Sequence, residues 1–518
     1  MRSLLSRHWG YTSFRPGQLE IAAAISTGRD VCAIMPTGGG KSLCYQLPAA
    51  ARQDCTAIVI SPLIALMQDQ VAQLEEIGIP AAVWNSSLAP AERDVVRRAA
   101  KAGRYRLLYL SPESIVQDAT LAWLQSLRIS FFVIDEAHCI SEWGHDFRPE
   151  YRLLNRLRRD FPALPIAAFT ASATQRVRHD IVQQLALRDP YKFIASFYRA
   201  NLRYFVHEST HAEQQSVLKS LSSIENGSAI VYASTIRRVE DVVEFLNSSG
   251  IPAIRYHGKM DIEERRRNQQ VWSTGEVRIA VATMAFGLGI NKANVRKVIH
   301  LAMPKSVEQY YQEAGRAGRD GLPAECILLW QKRDAALIAH FISQIESAGE
   351  RECAWQRYHQ VREFVESDSC RQLSICRHFG ERPKWSSCGQ CDACAGLPHE
   401  FAKAVAAASS LPGAAAAPMS KQARESLQLL KQGLSLTEIA RKRSRTLQSV
   451  EELFGKMVEN GRCEFRPEWV ERSRYEEIVQ AGRKLGWSRL KPIKEILPDE
   501  ITYGEIRLVA ADQKFRSL

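Results

Sequence analysis

One stretch of sequence decides the fold of this chain, and it reads Met35-Pro36-Thr37-Gly38-Gly39-Gly40-Lys41-Ser42. It follows a short apolar run at residues 31–34 and opens onto a helical pattern, which is the setting that a phosphate-binding loop requires. Glycines let backbone N–H groups close around a triphosphate, and the helix N-terminus adds its positive end. Lys41 is then placed to reach the β- and γ-phosphates, and the Ser42 hydroxyl to ligate Mg²⁺. The rest of the predicted nucleotide cradle consists of Thr37, Gly38, Gly39 and Gly40.

A second run, Asp135-Glu136-Ala137-His138, follows another apolar strand pattern at residues 131–134. In phosphoryl-transfer sites an aspartate at such a strand end holds Mg²⁺, and a neighbouring group orients or deprotonates the attacking water. Asp135 and Glu136 are the candidates for these two tasks. The strict phosphate-loop pattern has glycine at position 35, where this chain has methionine. The phosphate-loop run and the Asp135–His138 run together nevertheless predict a nucleoside triphosphatase.

Length and composition limit the class of protein. A chain of 518 residues is too long for one hydrophobic core, so three or more domains are expected. Hydrophobic content is 45%, and no apolar run approaches the roughly 20 residues of a membrane span. The N-terminus lacks a sustained apolar core and a small-residue cleavage site, so a cytoplasmic protein is expected. A formal net charge of +12 favours a polyanionic partner such as nucleic acid.

Two series of strand and helix patterns follow one another along the chain. The predicted strands of the first series are residues 31–35, 56–60, 106–110, 131–134 and 166–169. Those of the second series are residues 229–232, 253–256, 278–282, 297–301 and 326–330. Most are apolar throughout, as strands covered on both faces should be, so the sequence predicts two doubly wound α/β domains in tandem. Ligands of such domains bind beyond the carboxyl ends of the strands, where both runs lie.

The chain from about residue 10 to residue 394 resembles the RecQ family of DNA helicases, in superfamily 2. The run Gly10-Tyr11-Thr12-Ser13-Phe14-Arg15-Pro16-Gly17-Gln18 is similar to the adenine-reading motif of the family. Tyr11 offers a ring that can stack on the base, and the Gln18 amide can donate to and accept from the adenine edge. Arg15 belongs to the same predicted nucleotide-binding set. The resemblance implies two RecA-like lobes that use ATP, Mg²⁺ and Zn²⁺.

The run after the second motif separates this family from other superfamily 2 enzymes, and it reads Cys139-Ile140-Ser141-Glu142-Trp143-Gly144-His145-Asp146-Phe147-Arg148-Pro149. Trp143 and Phe147 can stack on single-stranded bases, and Arg148 can add a cationic face or a phosphate contact. With His145 they form the predicted DNA-contacting set of the first lobe. Residues 169–174 resemble the motif that couples the lobes, with hydroxyls that can bridge the carboxylates of Asp135 and Glu136.

Two motifs of the second lobe complete the resemblance. Residues 281–292 pair a strand end with a glycine loop suited to a phosphate backbone, and Thr283 is its candidate DNA contact. Residues 312–321 contain Arg316 and Arg319, which the resemblance places across the interlobe cleft from the phosphate loop. A guanidinium there can stabilise the charge that builds on the transferring oxygens. Arg319 is the candidate arginine finger, with Arg316 beside it.

Five of the twelve cysteines fall between residues 370 and 394. Three have the spacing Cys388-x-x-Cys391-x-x-Cys394, which in a cytosolic chain indicates a metal site rather than a disulfide. A fourth thiolate would close a structural zinc tetrahedron. Cys376 and His378 are competing candidates, but the resemblance favours Cys370, because its spacing to residues 379–381 matches the family.

The predicted organisation has five parts: a nucleotide-binding lobe at residues 1–205, a second lobe at 206–335, a helical zinc-binding subdomain at 336–400, an alanine-rich linker at 401–419, and an all-α helix-turn-helix domain at 420–518. The C-terminal part is basic and has capping-box spacing at Ser435 and Glu438. Family members often carry a winged-helix domain after the zinc module, but here the alanine-rich segment follows almost directly.

The resemblance implies an ATP-dependent helicase that moves 3′ to 5′ on single-stranded DNA and unwinds tailed or forked duplexes in repair and recombination. The location that goes with it is cytoplasmic and nucleoid-associated. Single-stranded-DNA-binding protein and repair factors are expected partners, and the oligomeric state stays open. The alternatives are a DNA-stimulated translocase or strand-annealing remodeller without processive unwinding, and, less favoured, an RNA helicase.

Overall fold

The computed structural model describes residues 1–85, 88–144, 146–224, 226–284, 286, 292–397, 401–402, 421–459, 462–487 and 490–516. The chain divides into two compact units, Met1–Ala407 and Ala408–Leu518, and each is described by itself. No helix in these described ranges is long and apolar enough to cross a membrane.

Two parallel sheets organise the larger unit. The first sheet has the strand order β3-β4-β2-β5-β6-β1-β7. Its strands are β1 (Val31–Ile34), β2 (Thr56–Ile60), β3 (Ala81–Trp84), β4 (Leu107–Leu110), β5 (Ile129–Ile134), β6 (Ile166–Thr170) and β7 (Tyr191–Ile194). The second sheet has the order β10-β11-β9-β12-β13-β8. Its strands are β8 (Leu202–Glu208), β9 (Ser228–Tyr232), β10 (Ala253–Tyr256), β11 (Ile279–Ala282), β12 (Val295–His300) and β13 (Ala324–Trp330).

Most strands in the middle of the sheets are apolar because both faces of each sheet are covered. In β2, Ala57 and Val59 pack into one hydrophobic cluster, whereas Ile58 and Ile60 pack into another on the opposite face. In a strand, successive side chains point to opposite faces, so a doubly covered strand has no polar alternation. The prediction of two tandem doubly wound domains is therefore confirmed.

Helices cover the two sheets and build the segment after them. Those of the first lobe are α1 (Arg2–Leu4), α2 (Gln18–Ser26), α3 (Lys41–Ala51), α4 (Ile64–Glu76), α5 (Pro90–Lys101), α6 (Pro112–Ile115), α7 (Asp118–Gln125), α8 (Pro149–Arg152), α9 (Arg156–Asp160) and α10 (Gln175–Gln184). The second lobe has α11 (His211–Lys219), α12 (Ile236–Ser248), α13 (Ile262–Thr274) and α14 (Val307–Ala314). The zinc-binding segment has α15 (Lys332–Ser343), α16 (Ala348–Glu366), α17 (Arg371–His378) and α18 (Asp392–Ala395).

The predicted limits of the lobes need correction. A division after residue 205 falls inside β8, all of which pairs with β13 of the second sheet. The chain therefore passes from one sheet to the other between β7 and β8, at residues 195–201, called the interlobe linker below. A division after residue 335 falls inside α15 in the same way. Of the predicted alanine-rich linker, residues 403–419 lie outside the described residues.

The smaller unit is helical in its described part. Its helices are α19 (Lys421–Lys431), α20 (Leu436–Lys442), α21 (Leu447–Glu459), α22 (Arg472–Leu485), α23 (Leu490–Glu495) and α24 (Tyr503–Arg516). The predicted capping box starts α20, since the Ser435 N–H donates to Glu438 Oε2 at 2.8 Å and the Glu438 N–H to Ser435 Oγ at 3.3 Å. Between α20 and α21, Ser444 takes a left-handed conformation with φ 50°. The helix, turn and helix expected from the sequence are present here.

Candidate functional site

The phosphate loop joins the carboxyl end of β1 to the first turn of α3. Gly38 and Gly40 both have left-handed backbones, with φ 81° and 78°, which a side chain would oppose. Gly39 has a different reason to be glycine, because a Cβ there would lie 2.9 Å from the Pro36 carbonyl oxygen. Ser42 stands in the first helical turn beside Lys41. The loop thus presents backbone N–H groups and a helix start on one side, as an anion site requires.

Methionine at position 35 fits the structure of the loop. Its side chain is buried, and its sulfur lies 3.9 Å from the Cys44 sulfur of α3. The Met35 carbonyl accepts a hydrogen bond of 3.2 Å from Lys41 Nζ. The departure from the strict pattern therefore packs into the core and leaves the position of the lysine amine intact.

Two of the three predicted base-reading residues, Arg15 and Gln18, contact the same loop. Gln18 is buried, its Oε1 accepts from the Arg15 N–H at 2.8 Å, and its Nε2 donates to the Gly40 carbonyl at 3.2 Å. The Arg15 guanidinium donates to the Gly38 carbonyl. Tyr11 is 58% exposed, which leaves its ring open to a stacking partner. Arg15 and Gln18 therefore contact the phosphate loop at Gly38 and Gly40.

Asp135 and Glu136 follow β5. In the sheet, β5 lies beside β6, and β6 lies beside β1, the strand that leads into the phosphate loop. The backbone at Asp135 is fixed by its N–H to the Ile60 carbonyl at 2.8 Å and by the Tyr151 hydroxyl on its own carbonyl at 2.9 Å. Burial, and then the charge of Glu136, raises the pKa of the Asp135 carboxyl to about 7, while Lys41 acts in the opposite sense. A buried carboxyl of this kind gains from a nearby cation, and carboxylate and hydroxyl oxygens are the donors that Mg²⁺ prefers. Asp135 with Ser42 thus forms a donor set that fits Mg²⁺.

A chain of polar contacts leads from this motif to the second lobe. His138 Nδ1 lies 3.2 Å from Glu136 Oε2 and 2.8 Å from the Thr170 hydroxyl. Beyond Thr170, the Ser172 hydroxyl accepts from Gln312 Nε2 of α14 at 2.9 Å. The expectation that hydroxyls of residues 169–174 bridge the carboxylates is corrected in one respect: Thr170 reaches the imidazole of His138, which in turn contacts Glu136.

Of the two predicted arginines, Arg319 lies against the phosphate loop from the second lobe, and Arg316 is its neighbour. Arg316 is buried, and the stem of Arg319 lies over Gly38, where a Cβ would be 3.3 Å from Arg319 Cγ. Burial, and then the neighbouring Arg316, lowers the pKa of Arg319 to about 9, so it remains a cation at neutral pH. An arginine against a phosphate loop, with a second arginine beside it, forms an electrostatic setting that favours a polyphosphate.

Arg199, in the interlobe linker, is a contact that sequence reasoning missed. Its Nη1 donates to the Thr37 carbonyl of the phosphate loop at 3.3 Å. Its Nη2 donates to the carbonyls of Ala317 and Gly318 at 3.3 and 3.1 Å. No motif marks this position, and only the tertiary fold brings its partners together.

The aromatic loop, residues 139–149, lies on the first lobe and is tied to α16. Gly144 sits so close to the preceding turn that a Cβ would lie 2.5 Å from the His138 carbonyl oxygen. The Arg176 guanidinium stacks over the Trp143 ring at 3.1 Å from its centroid, and Arg357 of α16 donates to the Gly144 carbonyl at 3.2 Å. The ring of Trp143 is therefore only partly exposed.

The other predicted DNA contacts are placed as follows. Phe147 is partly exposed and lies 5.3 Å from the Arg152 guanidinium, and Arg148 Nη2 reaches Asp146 Oδ2 at 3.5 Å. His145 lies outside the described residues. Thr283 follows β11, and its N–H donates to the Tyr256 carbonyl at 3.2 Å. Most of the glycine loop after Thr283, residues 285 and 287–291, lies outside the described residues as well.

Four cysteine sulfurs converge in the zinc-binding segment. The Sγ atoms of Cys370, Cys388, Cys391 and Cys394 all lie within 4.8 Å of one another. Backbone N–H groups point at two of these sulfurs, Cys388 N at Cys370 Sγ (3.3 Å) and Arg371 N at Cys391 Sγ (3.4 Å). Such N–H donors stabilise thiolates, so the donor set fits a structural Zn²⁺.

The competing ligands have other partners. Cys376 is fully buried outside the cluster, and burial, and then the charge of Glu381, raises the pKa of its thiol. His378 Nε2 lies 2.8 Å from Glu308 Oε1 of α14, with both side chains at least nine-tenths buried. The geometry thus brings Cys370 into the cluster and leaves Cys376 and His378 out of it.

Comparison with protein families covers most of the chain. Residues 15–181 match the DEAD/DEAH box helicase family, and residues 213–321 match the helicase conserved C-terminal domain. Residues 332–395 match the RecQ zinc-binding family, and residues 422–510 match a helix-turn-helix domain.

Similar proteins include the ATP-dependent DNA helicase RecQ of Haemophilus influenzae, which is 41% identical over 399 residues, 77% of this chain and 64% of that one. The enzyme of the same name from Bacillus subtilis is 40% identical, over 76% of this chain and 66% of its own length. A putative ATP-dependent DNA helicase Q1 of Caenorhabditis briggsae is 38% identical, over 83% of this chain and 69% of its own length. The chain thus spans about two thirds of the length of these relatives.

Solved structures share the fold at low sequence identity. The DUF1998 helicase MrfA bound to DNA is 22% identical, with a TM-score of 0.55 over 64% of this chain and 50% of that one. The Saccharomyces cerevisiae protein Dbp5 bound to RNA and ADP BeF3 is 16% identical, with a TM-score of 0.53 over 71% of this chain and 98% of that one.

Proposed function

Since this chain belongs to the RecQ family of DNA helicases, we propose that it hydrolyses ATP to move 3′ to 5′ along single-stranded DNA and to unwind duplex DNA. The observation that carries the proposal is the approach of Arg319 to Gly38, which sets the second lobe against the phosphate loop. A cleft with a phosphate loop on one wall and guanidinium groups on the other opens and closes with its nucleotide. Such closure is what converts hydrolysis into movement of two lobes along a strand.

The residues divide the chemistry between the two walls of the cleft. In the proposal, Lys41 and the backbone of residues 37–40 hold the phosphates, and Arg316 and Arg319 stabilise charge on the transferring oxygens. Glu136 orients and deprotonates the attacking water, and His138 holds its carboxylate. Ser42 and Asp135 would hold Mg²⁺, which would neutralise part of the phosphate charge. Tyr11, Arg15 and Gln18 receive the base.

Single-stranded DNA crosses the lobes through stacking and phosphate contacts. Trp143 and Phe147 offer stacking surfaces, Arg148 and His145 offer polar contacts, and Thr283 marks the second lobe. Because the aromatic loop follows Asp135 and Glu136 within a few residues, its displacement by DNA would reach the hydrolytic carboxylates directly. In this proposal, hydrolysis therefore depends on DNA.

The proposal extends to organisation and partners. We assign a nucleotide-binding lobe that ends with β7, a second lobe from β8 to β13, a zinc-binding subdomain that begins with α15 and, after the segment 401–419, a C-terminal DNA-binding helix-turn-helix. Tailed or forked duplexes are the proposed substrates, single-stranded-DNA-binding protein and repair factors the proposed partners, and the bacterial nucleoid in the cytoplasm the proposed location.

One observation favours a second candidate, a DNA-stimulated translocase or strand-annealing remodeller without processive unwinding. The described residues after 420 form helices, and no strand of a wing hairpin occurs among them. A hairpin of that kind would otherwise separate the two strands at a fork.

Strand displacement with ATP on duplexes that carry a 3′ tail, a 5′ tail or no tail tests the proposal, with hydrolysis followed in parallel. We expect displacement of the 3′-tailed duplex alone. Lys41→Ala should abolish hydrolysis and largely spare DNA binding, whereas Lys192→Ala, an exposed lysine on β7, should change neither. Strong DNA-stimulated hydrolysis without displacement would favour the second candidate, and near-normal turnover by Lys41→Ala would refute the assignment of the cleft.

A further inference from the structure

The interlobe linker is held from Ser196 to Ala200 by side chains of the zinc-binding segment. Glu381 accepts from the Ser196 hydroxyl at 2.7 Å and from the Phe197 N–H at 2.8 Å. The rings of Phe197 and Phe379 stack with centroids 4.3 Å apart. The linker is therefore a fixed element of the larger unit, set by the segment that follows the second sheet.

Gln372 forms hydrogen bonds with both the N–H and the carbonyl of Arg199 in the linker. Its Oε1 accepts from the Arg199 N–H at 3.1 Å, and its Nε2 donates to the carbonyls of Arg199 and Leu202 at 2.8 and 2.9 Å. Gln372 is 2% exposed and stands two residues after Cys370, in the first turn of α17. A buried amide that satisfies three backbone groups fixes the direction in which the Arg199 side chain leaves the chain.

The Arg199 side chain then spans the cleft. One of its nitrogens binds the phosphate loop at Thr37, and another binds the arginine-bearing loop at Ala317 and Gly318. A planar guanidinium can donate in several fixed directions at once, whereas a lysine ammonium is a point charge without that fork. Carbonyl acceptors on two lobes therefore require arginine at this position if both are to be held together.

Arg199 differs from the predicted arginines in what it touches. Its described side-chain hydrogen bonds go to backbone carbonyls: one at Thr37 in the phosphate loop, and two at Ala317 and Gly318, between Arg316 and Arg319. These bonds connect the two groups of residues assigned to phosphate binding and to charge stabilisation.

We propose that Arg199 is a positioning residue that sets the phosphate loop and the Arg316–Arg319 loop at their working separation, and that the zinc-binding segment holds it in place through Gln372. The inference rests on the proposed ATP hydrolysis. It gives the zinc-binding segment a role in setting the separation of the two walls of the cleft, in addition to the folding of its own residues.

Steady-state hydrolysis with single-stranded DNA tests the inference, in the full chain loaded with zinc. We expect Arg199→Ala to lower kcat at least tenfold and to change KM for ATP by less than threefold, because the phosphate loop remains but its distance to the opposite wall is no longer set. The kcat of Arg199→Lys should lie between that of the wild type and that of Arg199→Ala, because lysine restores one donor but not the forked geometry of the guanidinium. Gln372→Ala should lower kcat in the same direction and by a smaller factor.

Arg203→Ala is the matched control, because Arg203 is an exposed arginine on β8 four residues away. Zinc content and melting temperature are measured on every variant. A loss of kcat in Arg199→Ala at unchanged zinc content and melting temperature supports the inference. A kcat of Arg199→Ala within twofold of the wild-type value overturns the inference. A decrease in kcat no larger than the decrease in the amount of folded protein overturns it as well.

A second readout separates positioning from a general weakening of the protein. In the wild type, a non-hydrolysable ATP analogue should change the affinity for single-stranded DNA, and Arg199→Ala should lose that change while binding DNA normally without nucleotide. A wild-type chain without any hydrolysis refutes the proposed function. An active wild type beside an equally active Arg199→Ala refutes this inference alone.

Discussion

Replacement of Arg371 by alanine should release zinc from the cysteine cluster. Arg371 follows Cys370, and its guanidinium makes a forked pair with Asp392, which lies between Cys391 and Cys394. The same group donates to the carbonyls of Phe364 and Ser367, at 2.7 and 2.6 Å. It therefore ties the two ligand-bearing stretches to each other and to the end of α16.

The magnitude follows from the burial of the pair. The two side chains are 7% and 10% exposed, so removal of the arginine leaves a buried carboxylate and two buried carbonyls without their donor. Removal of one partner of such a buried pair costs about 3–5 kcal/mol. Because metal binding and folding are coupled in a short segment, a cost of that size weakens zinc binding by about 10²- to 10³-fold if most of it falls on the metal-bound state.

Competition with a chromophoric zinc chelator measures the affinity, and thermal melting with and without EDTA measures the linked stability. Arg362→Ala is the control: Arg362 pairs with Glu366 on the exposed face of α16, and such a pair contributes only about 0.3–0.5 kcal/mol. Asp392→Ala in the Arg371→Ala background should cost less than it does alone, because the two groups share one interaction. Zinc affinity in Arg371→Ala within threefold of the wild type would refute the reasoning.

Two further predictions concern the zinc ligands and the aromatic loop. Cys370→Ser should lose zinc, whereas Cys376→Ser should retain about one zinc per chain, because Cys376 is buried outside the cluster; equal zinc loss in both variants, measured by elemental analysis, would contradict the geometry. Trp143→Ala should bind single-stranded DNA about 5- to 100-fold more weakly by loss of one stacked base, and its hydrolysis without DNA should be unchanged. Fluorescence anisotropy with a labelled oligonucleotide and a parallel assay without DNA check this, and unaltered DNA affinity would show that Trp143 only packs the loop.

The sequence predicted every strand in the middle of the two sheets but only one of the four edge strands, β10. Every predicted strand is present, and most of them are apolar runs covered on both faces. The unpredicted strands lie at or near sheet edges, where one side is open. In β7 the side chains alternate between partly buried and exposed, with Lys192 among them, and β3 contains Ala81 and Ala82, which have little strand preference. An edge strand gives a weaker signal because fewer of its residues need to be apolar.

The β8 strand shows a different limit of sequence reasoning. It precedes β9 in the chain but lies at the far edge of the second sheet, beside β13. Local pattern places it next to the first lobe, and only the parallel pairing of Leu202–Glu208 with Ala324–Trp330 assigns it to the second. The same holds for His378, whose spacing suits a metal ligand but whose partner is Glu308 on α14.

The remaining features that could not be predicted from the sequence are contacts between segments that lie far apart in the chain. The partners of Arg199 lie 162 residues before it, at Thr37, and 118 and 173 residues after it, at Ala317 and Gln372. A motif reports the residues that touch a ligand, because their types and spacing follow from the chemistry of that ligand. It says nothing about a side chain whose partners are backbone carbonyls, since every residue type offers the same carbonyl.

That distinction bears on how the zinc-binding segment relates to the cleft. A segment whose only task was to fold around its metal would satisfy its buried polar groups internally, as Arg371 does with Asp392. Gln372 and His378 instead direct buried polar atoms to the interlobe linker and to α14, which leads into the Arg316–Arg319 loop, and the partly buried Glu381 also binds the linker. Burial of polar groups is costly unless each is paired, so the contacts of Gln372 and His378 hold the segment against both elements that set the cleft. Loss of zinc should therefore reduce hydrolysis before it unfolds either lobe, and an activity that survives chelation until the lobes melt would show that the contacts are only packing.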